Sequence, residues 1–511
     1  LILIYFFFND KQGPVSKNFK EGVTLVFNSL EFLLFFPILF ILYYLLSYRL
    51  RGLVLLFGSY FFYAYWKPVY IFLILFSTFI DFFIAKKIEL TTGNEKKKWL
   101  MLSLAGNLGV LFFFKYSNFF IENLNWFLAI FEISQLKPLS IELPLGISFY
   151  TFQTMSYSID VYQKRMPSEK SFLRFALYVS FFPQLVAGPI ERASSIIPQL
   201  KKKVSLDYDR ITDGLKIMFT GLFKKIVIAD SLSIIVTHVF SHAYDYHGLV
   251  FIFALFLFRY QVFCDFSGYS DIAVGAAKVF GINLTQNFKR PFAATSVRDF
   301  WKRWHITMGG WFKDYVFFPL NKNHIGKKKF IYFNTLLTFL LIGLWHGPKW
   351  TFIVWGGLHG LLLILDRHTE SIREKLSLNW GLNKHPILLR CFQIFITFSI
   401  MSLISVFFRA DSMDAAFHIL TEIFSFGQTD YLRLKEMRAL MEYEQHFWEF
   451  ALVIVSIIVM EVIHYYQSKN NLLEKIKNTP IYIRWGLYPT ACLILILVGK
   501  FYAKEFVYFQ F

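Results

Sequence analysis

Apolar runs of roughly membrane-crossing length recur from one end of this chain to the other, and that recurrence limits the possible folds more than any single motif does. A helix needs about 17 to 25 mostly apolar residues to cross a bilayer. Runs of about that size lie near residues 28–49, 51–66, 68–85, 99–121, 144–163, 171–187, 214–240, 248–280, 331–346, 350–366, 387–408, 448–467 and 482–501. They are continuous rather than alternating, which argues against a β-barrel. The expected fold is an all-α polytopic membrane protein with about ten to thirteen transmembrane or re-entrant helices. Composition agrees: 56% hydrophobic residues, 64 Phe among 511 and a mean hydropathy of +0.46 exceed what one soluble core could hide. The polar breaks are short, the longest being roughly 409–447. The pattern therefore implies one membrane domain rather than a soluble enzyme on an anchor.

A formal net charge of +18 would ordinarily raise the question of nucleic acid. Here the basic residues sit in the breaks between apolar runs: Lys86, Lys87 and Lys96 to Lys98; Lys201 to Lys203; Lys224 and Lys225; Lys322 with Lys327 to Lys329. Membrane topology accounts for them, and the positive-inside rule predicts that these loops face the cytoplasm. No nucleic-acid partner is expected, while the lipid bilayer is. Cys264, Cys391 and Cys492 are isolated in apolar segments, with neither metal-ligand spacing nor a framework of pairs. No metal site is expected.

The segment from Pro291 to Leu320 combines aromatic residues with charge. Read as one helix at about 100° per residue, Phe300, Trp304, Met308, Trp311, Phe312 and Tyr315 share one face, and Arg298, Lys302, His305, Gly309 and Lys313 share another. This predicts an interfacial or protein-buried amphipathic helix. A surface helix with snorkelling cations has the same pattern.

Two further histidines interrupt apolar text, in Gly343-Leu344-Trp345-His346-Gly347-Pro348 and in Gly356-Gly357-Leu358-His359-Gly360. Ionisable residues at membrane depth are costly and mark functional sites. Pro348 disfavours helix at Gly347, so His346 is expected to end a membrane helix. There a neutral imidazole could take a proton from an attacking hydroxyl, as acyl transfer to an alcohol requires. A buried histidine bonded to a carbonyl is the alternative. Asp265 and Asp271, with Arg259, Gln261, Ser267, Tyr269 and Ser270, lie between apolar flanks. Buried carboxylates must be paired or hydrogen-bonded, so they read either as a structural network closing a re-entrant turn or as a chamber lining. Gly188-Pro189-Ile190-Glu191-Arg192 reads as a turn with an internal ion pair.

The order of several motifs resembles the membrane-bound O-acyltransferase family, in its bacterial alginate O-acetyltransferase-like branch. They are Val26-Phe27-Asn28-Ser29-Leu30-Glu31-Phe32-Leu33, Leu143-Pro144-Leu145-Gly146-Ile147-Ser148-Phe149-Tyr150, Phe182-Pro183-Gln184-Leu185-Val186-Ala187-Gly188-Pro189-Ile190, Asp265-Phe266-Ser267-Gly268-Tyr269-Ser270-Asp271, Phe300-Trp301-Lys302-Arg303-Trp304-His305, the His346 run, Phe407-Phe408-Arg409-Ala410 and Tyr508-Phe509-Gln510-Phe511. The resemblance implies His346 as the catalytic residue and His305 as a second signature residue of the site. Read from the residues around them, His359, Trp345, Asp265, Asp271, Arg298 and Lys302 are candidates for supporting or substrate-lining roles. The resemblance also implies a multi-pass protein of the bacterial inner (plasma) membrane. Such a protein would move an acetyl group from a cytoplasmic donor, acetyl-CoA or an acylated carrier, towards an extracytoplasmic polysaccharide acceptor. No tightly bound cofactor is implied, and an extracytoplasmic hydrolase-like acetyltransferase partner would complete transfer. D-alanyl or other acyl transfer to teichoic acid or peptidoglycan is the alternative within the class, and a polysaccharide exporter or transporter the alternative outside it. The resemblance begins at Val26, so residues 1–24 are expected to be a dispensable extension, with Leu25 at the true start and 25–511 as the membrane domain.

Overall fold

The structure is a computed structural model that describes residues 25–324, 326–425, 430–443, 446–467, 479–501 and 506. The expected 1–24 extension and the 508–511 motif lie outside the described residues. The helices used below are α1 (Leu30–Leu45), α2 (Tyr48–Ala64), α3 (Ile71–Leu90), α4 (Gly93–Leu111), α5 (Ile147–Tyr162), α6 (Tyr208–Phe223), α7 (Leu249–Val279), α8 (Ile306–Phe312), α9 (Lys328–His346), α10 (Trp350–His368), α11 (Pro386–Arg409), α12 (Phe447–Gln467) and α13 (Ile481–Val498). Among the described residues, seven helical stretches are long and apolar enough to cross a membrane: 68–90, 93–130, 249–279, 328–346, 386–409, 447–467 and 481–498. Large apolar side chains such as Ile38, Phe57, Phe72, Phe395 and Ile458 face outward, as they would towards lipid.

Several expected spans take a different form. The 171–187 run is broken at Phe181 into Phe172–Ser180 and Phe182–Leu185. Pro183 starts the second turn, and nearly every side chain from Phe175 to Ile190 is buried. At about 1.5 Å per residue, neither piece reaches across a bilayer. α5 is an inner helix, with Thr151, Gln153, Thr154, Ser156, Ser158 and Asp160 all buried along it. Its polar face meets α3 and α4 through Asp81, which accepts from Asn107 Nδ2 at 2.7 Å and from Ser158 Oγ at 2.9 Å. Hydrogen bonding is what makes a carboxylate tolerable at such depth.

The 214–240 run forms a rod in which α6 passes through a π-helical turn, Lys224–Ala229, into Asp230–Ser241. α6 lies against α7 at glycines seven residues apart: a Cβ on Gly221 would overlap Gly268 O, and one on Gly275 would overlap Gly214 O. Small residues allow helix backbones to come this close in a membrane. The π turn turns Lys224 and Lys225 inward. Lys224 pairs with Asp271 at 2.8 Å, and Lys225 with Asp265 at 2.7 Å and Asp230 at 2.8 Å. The expected cytoplasmic cluster at Lys224 and Lys225 is therefore corrected: both are buried, because acidic partners on α7 and on the rod compensate them. α7 itself is one continuous helix, so no re-entrant turn occurs at Asp265 to Asp271.

Two of the other basic breaks are tied together. Ser168 donates to Glu89, while Glu169 pairs with Lys201 at 3.0 Å and Arg174 at 2.7 Å, which joins the Lys86–Lys98 region to Lys201. Arg165 and Arg192 lie over the Tyr315 ring at 5.8 and 4.2 Å, which ties the segments around them to the helix that begins at Ile306.

Candidate active site

α9 and α10 form a hairpin whose helices touch through backbone. A Cβ on Gly343 would overlap Phe352 O, and one on Gly356 would overlap Phe339 O. The hairpin buries His346, the last residue of α9, and His359 on α10. The helix ends there because Gly347 is extended, φ −166° and ψ 155°, ahead of Pro348.

The carbonyls that a helix terminus leaves without intrahelical partners find one cation. Lys115 Nζ donates to Trp345 O at 2.7 Å, His346 O at 3.1 Å and Ser148 Oγ at 3.4 Å, and the Tyr116 hydroxyl donates to Leu344 O at 3.0 Å. Lys115 lies in a π-helical turn, Phe112–Tyr116, that follows α4. Such turns often mark functional positions, and a cation is favoured at the negative end of a helix dipole. Lys115, Leu143 to Phe149, Val186, Trp345 and His346 line a partly open cavity of about 50 Å³. Gly146 stands at its edge with φ +70°, where a Cβ would overlap Leu185 O. The Trp345 indole N–H has no hydrogen-bond acceptor among the described residues. A buried donor beside a cavity is suited to a developing negative charge.

Three imidazoles alternate with two indoles. His305 lies 6.0 Å from Trp345 between ring centroids, Trp345 4.9 Å from His346, His346 5.0 Å from Trp355, and Trp355 4.6 Å from His359. Phe152 steadies Trp345 by stacking on it at 5.4 Å, with Trp311 on Phe152 at 3.8 Å. His305, His346, His359 and Trp345 thus belong to one cluster.

His305 reaches that cluster in an unexpected way. The single helix expected over 291–320 is corrected to Pro291–Ala293, Val297–Trp301 and, after a break at 302–305, one helical stretch in which α8 passes through a π turn, Lys313–Phe317, into Phe318–Asn321. Phe300, Trp304, Met308, Trp311 and Phe312 are buried as the pattern predicts. His305, placed by periodicity on the polar face, is fully buried, because its backbone turns left-handed at φ +44° and ψ +54°. A non-glycine residue in that region costs about 1–2 kcal/mol, which surrounding structure must offset. Asn287 supplies the bonds: its carbonyl accepts from Ile306 N at 3.0 Å, and its Oδ1 accepts from Thr307 N at 3.2 Å and Thr307 Oγ1 at 3.0 Å.

The break also separates Arg298 and Lys302 from His305, while Lys313, two turns along the helix that His305 begins, is exposed where His305 is buried, so the shared cationic face does not exist. Arg298 is held by Asp366 and Glu370, each at 2.8 Å, and Lys302 is exposed. Arg298 thereby fastens Val297–Trp301 to α10, where Trp301 meets His359 at 5.1 Å. Asp265 and Asp271 stand in the lysine pairs described above. The ion pair expected within Glu191-Arg192 is replaced by longer links, Glu191 to Thr285 and Arg192 to Asp314 at 2.9 Å. Three residues of the site escaped the sequence reading: Lys115, Asn287 and Trp355. A lone cation inside the apolar run Leu111-Phe112-Phe113-Phe114-Lys115 is a signal that could have found the first.

The family model described as MBOAT, membrane-bound O-acyltransferase family, matches residues 97–410. That interval contains Lys115, Asn287, His305, His346 and His359. The chain belongs to the membrane-bound O-acyltransferase family. It is similar to a Pseudomonas putida protein named probable alginate O-acetylase AlgI, 32% identical across 95% of this chain and all of that protein. It is also similar to the peptidoglycan O-acetyltransferase of Helicobacter pylori, 34% identical across 96% of this chain and 98% of that one. The teichoic acid D-alanyltransferase of Bacillus subtilis is 28% identical over 45% of this chain and 60% of its own length. This acyltransferase is a multi-pass membrane enzyme, and the exporter reading is set aside.

Lys115→Met tests the cap on α9. Hydrogen bonds from a charged donor contribute about 1.5–3 kcal/mol, so the purified variant should melt at lower temperature and acylate more slowly. A variant matching the wild type in both measurements would remove Lys115 from the site.

Proposed function

We propose that this acyltransferase moves an acetyl group from a cytoplasmic donor, acetyl-CoA or an acylated carrier, towards a polysaccharide outside the membrane of a bacterial cell. His346 is the residue that handles the proton. The observation that carries this reading is the placement of His346 on the wall of the small cavity, with its helix end held by Lys115 and with Trp345 and His305 beside it. In direct transfer from a thioester, the acceptor hydroxyl gives its proton to a neutral imidazole while its oxygen attacks the acyl carbonyl. The C–O bond forms, the C–S bond breaks, and the proton leaves with the thiol. The Trp345 indole N–H, which has no acceptor among the described residues, would stabilise charge on the carbonyl oxygen as it develops.

Two relatives of nearly full length bear names of glycan O-acetylating enzymes, which supports acetyl over D-alanyl. An extracytoplasmic hydrolase-like partner that receives the acetyl group fits the same branch, as does an inner-membrane location. The test is alkali-released acetate from each envelope polysaccharide in strains with and without the gene. One glycan should lose its acetyl groups, and unchanged acetate in every glycan would reject the reading.

A further inference from the structure

We infer that Asn287 is a positioning residue of this site, fixing the proton of His305 on Nδ1 and leaving Nε2 as its basic nitrogen. The inference rests on the reading that His305 takes part in transfer. Asn287 is 1% exposed and lies 18 residues before His305, in a segment that pairs with the His305 turn: Lys289 N donates to Arg303 O at 2.9 Å, and Ile306 N to Asn287 O at 3.0 Å.

The two ends of an asparagine amide are distinguished by their hydrogen bonds. Here a backbone donor decides. Thr307 N–H can only donate, so the atom it meets at 3.2 Å is the oxygen Oδ1. The Thr307 hydroxyl adds a second contact at 3.0 Å, while its own oxygen accepts from Ile190 N at 3.0 Å, which commits the hydroxyl proton to Asn287. The same Oδ1 lies 3.2 Å from His305 Nδ1. An amide oxygen only accepts, so Nδ1 carries hydrogen and a neutral His305 holds its lone pair on Nε2. The tautomer follows from the chain Ile190, Thr307, Asn287, His305.

One side chain thus does two things for His305. Its bonds to Thr307 N and Oγ1 supply the cap that α8 lacks at its own start, where no side-chain cap is present, and they act with the Asn287 backbone carbonyl, which accepts from Ile306 N, to offset the left-handed turn. Its contact with Nδ1 selects the ring nitrogen available for chemistry. Orientation of a histidine by the group on its other nitrogen is known best from metal sites, where loss of that group costs about 10- to 100-fold.

The experiment measures acetylation of the envelope glycan per unit of membrane-inserted protein for N287L, N287D, H305A and the double variant H305A/N287L. N287L removes the hydrogen bonds of the side-chain amide at similar volume, keeps the backbone bond to Ile306, and should lower the rate about 10- to 100-fold. N287D keeps an oxygen acceptor facing His305 and Thr307 and should recover to within a few-fold of wild type. A packing role would not separate N287D from N287L in this way. In the H305A background, N287L should add no further loss. Wild-type rate in N287L with H305A impaired, equal impairment of N287D and N287L, or additive losses would each overturn the inference alone. H305A at wild-type rate would overturn the role given to His305, and the inference with it.

Discussion

Replacing His346 with alanine is expected to lower acyl transfer by about 100- to 10,000-fold, the range lost with a positioned acid or base, while the protein still inserts. The imidazole is the last side chain of α9, and what holds that terminus is backbone: Lys115 binds the carbonyls of Trp345 and His346, not the ring. Alanine therefore leaves the cap and the glycine contacts of the hairpin intact. What it loses in packing includes the ring against Trp345 at 4.9 Å, Trp355 at 5.0 Å and Phe408 at 5.4 Å. His346→Gln refills most of that volume without a base of comparable strength, so both variants should be inactive at normal protein levels. The measurement is glycan acetate in strains carrying each variant, normalised to membrane-inserted protein. Wild-type acetylation by His346→Ala would reject the assignment.

Lys225→Met should produce the largest loss of stability, about 3–5 kcal/mol, because removing one member of a buried ion cluster leaves its partners' charge uncompensated. Lys225 is buried with Asp265 at 2.7 Å and Asp230 at 2.8 Å, at the π turn where α6 packs on α7. Either aspartate is then left as a buried polar group without its cation. The variant should melt well below wild type in detergent and accumulate poorly in membranes. Replacing Lys225, Asp230 and Asp265 together by apolar residues of similar size should recover most of the loss, since buried clusters are commonly replaceable as a whole. A Lys225→Met protein that melts with the wild type would show that the cluster does not hold the rod against α7.

These two sites differ in how far the chain announces them. His346 could be found from sequence because an imidazole followed by Gly-Pro in apolar text is costly at membrane depth and ends a helix locally. The all-α class was legible for a similar reason, since apolar runs of sufficient length have few other solutions in a bilayer. Lys225 was misassigned to a loop. A basic pair between apolar runs and a basic pair buried against carboxylates have the same local sequence, and only the packing of α7 distinguishes them. The 171–187 run failed as a span because Pro183 breaks it, and protein rather than lipid surrounds its pieces.

The 291–320 segment shows the division within one stretch. Its aromatic periodicity named most of the side chains that are buried, a property of local helical geometry on either side of the break. His305 was placed on the wrong face, because periodicity assumes that one helix runs through it. The chain by itself determined the membrane class, the helix ending at His346 and the residue chemistry an acyltransferase needs. The left-handed turn at His305 was decided by tertiary structure, as were the Asn287 oxygen at its ring and the Lys115 cation beneath His346. Each depends on a hydrogen bond between segments distant in sequence, and no local pattern of side chains specifies which distant donor or acceptor will arrive.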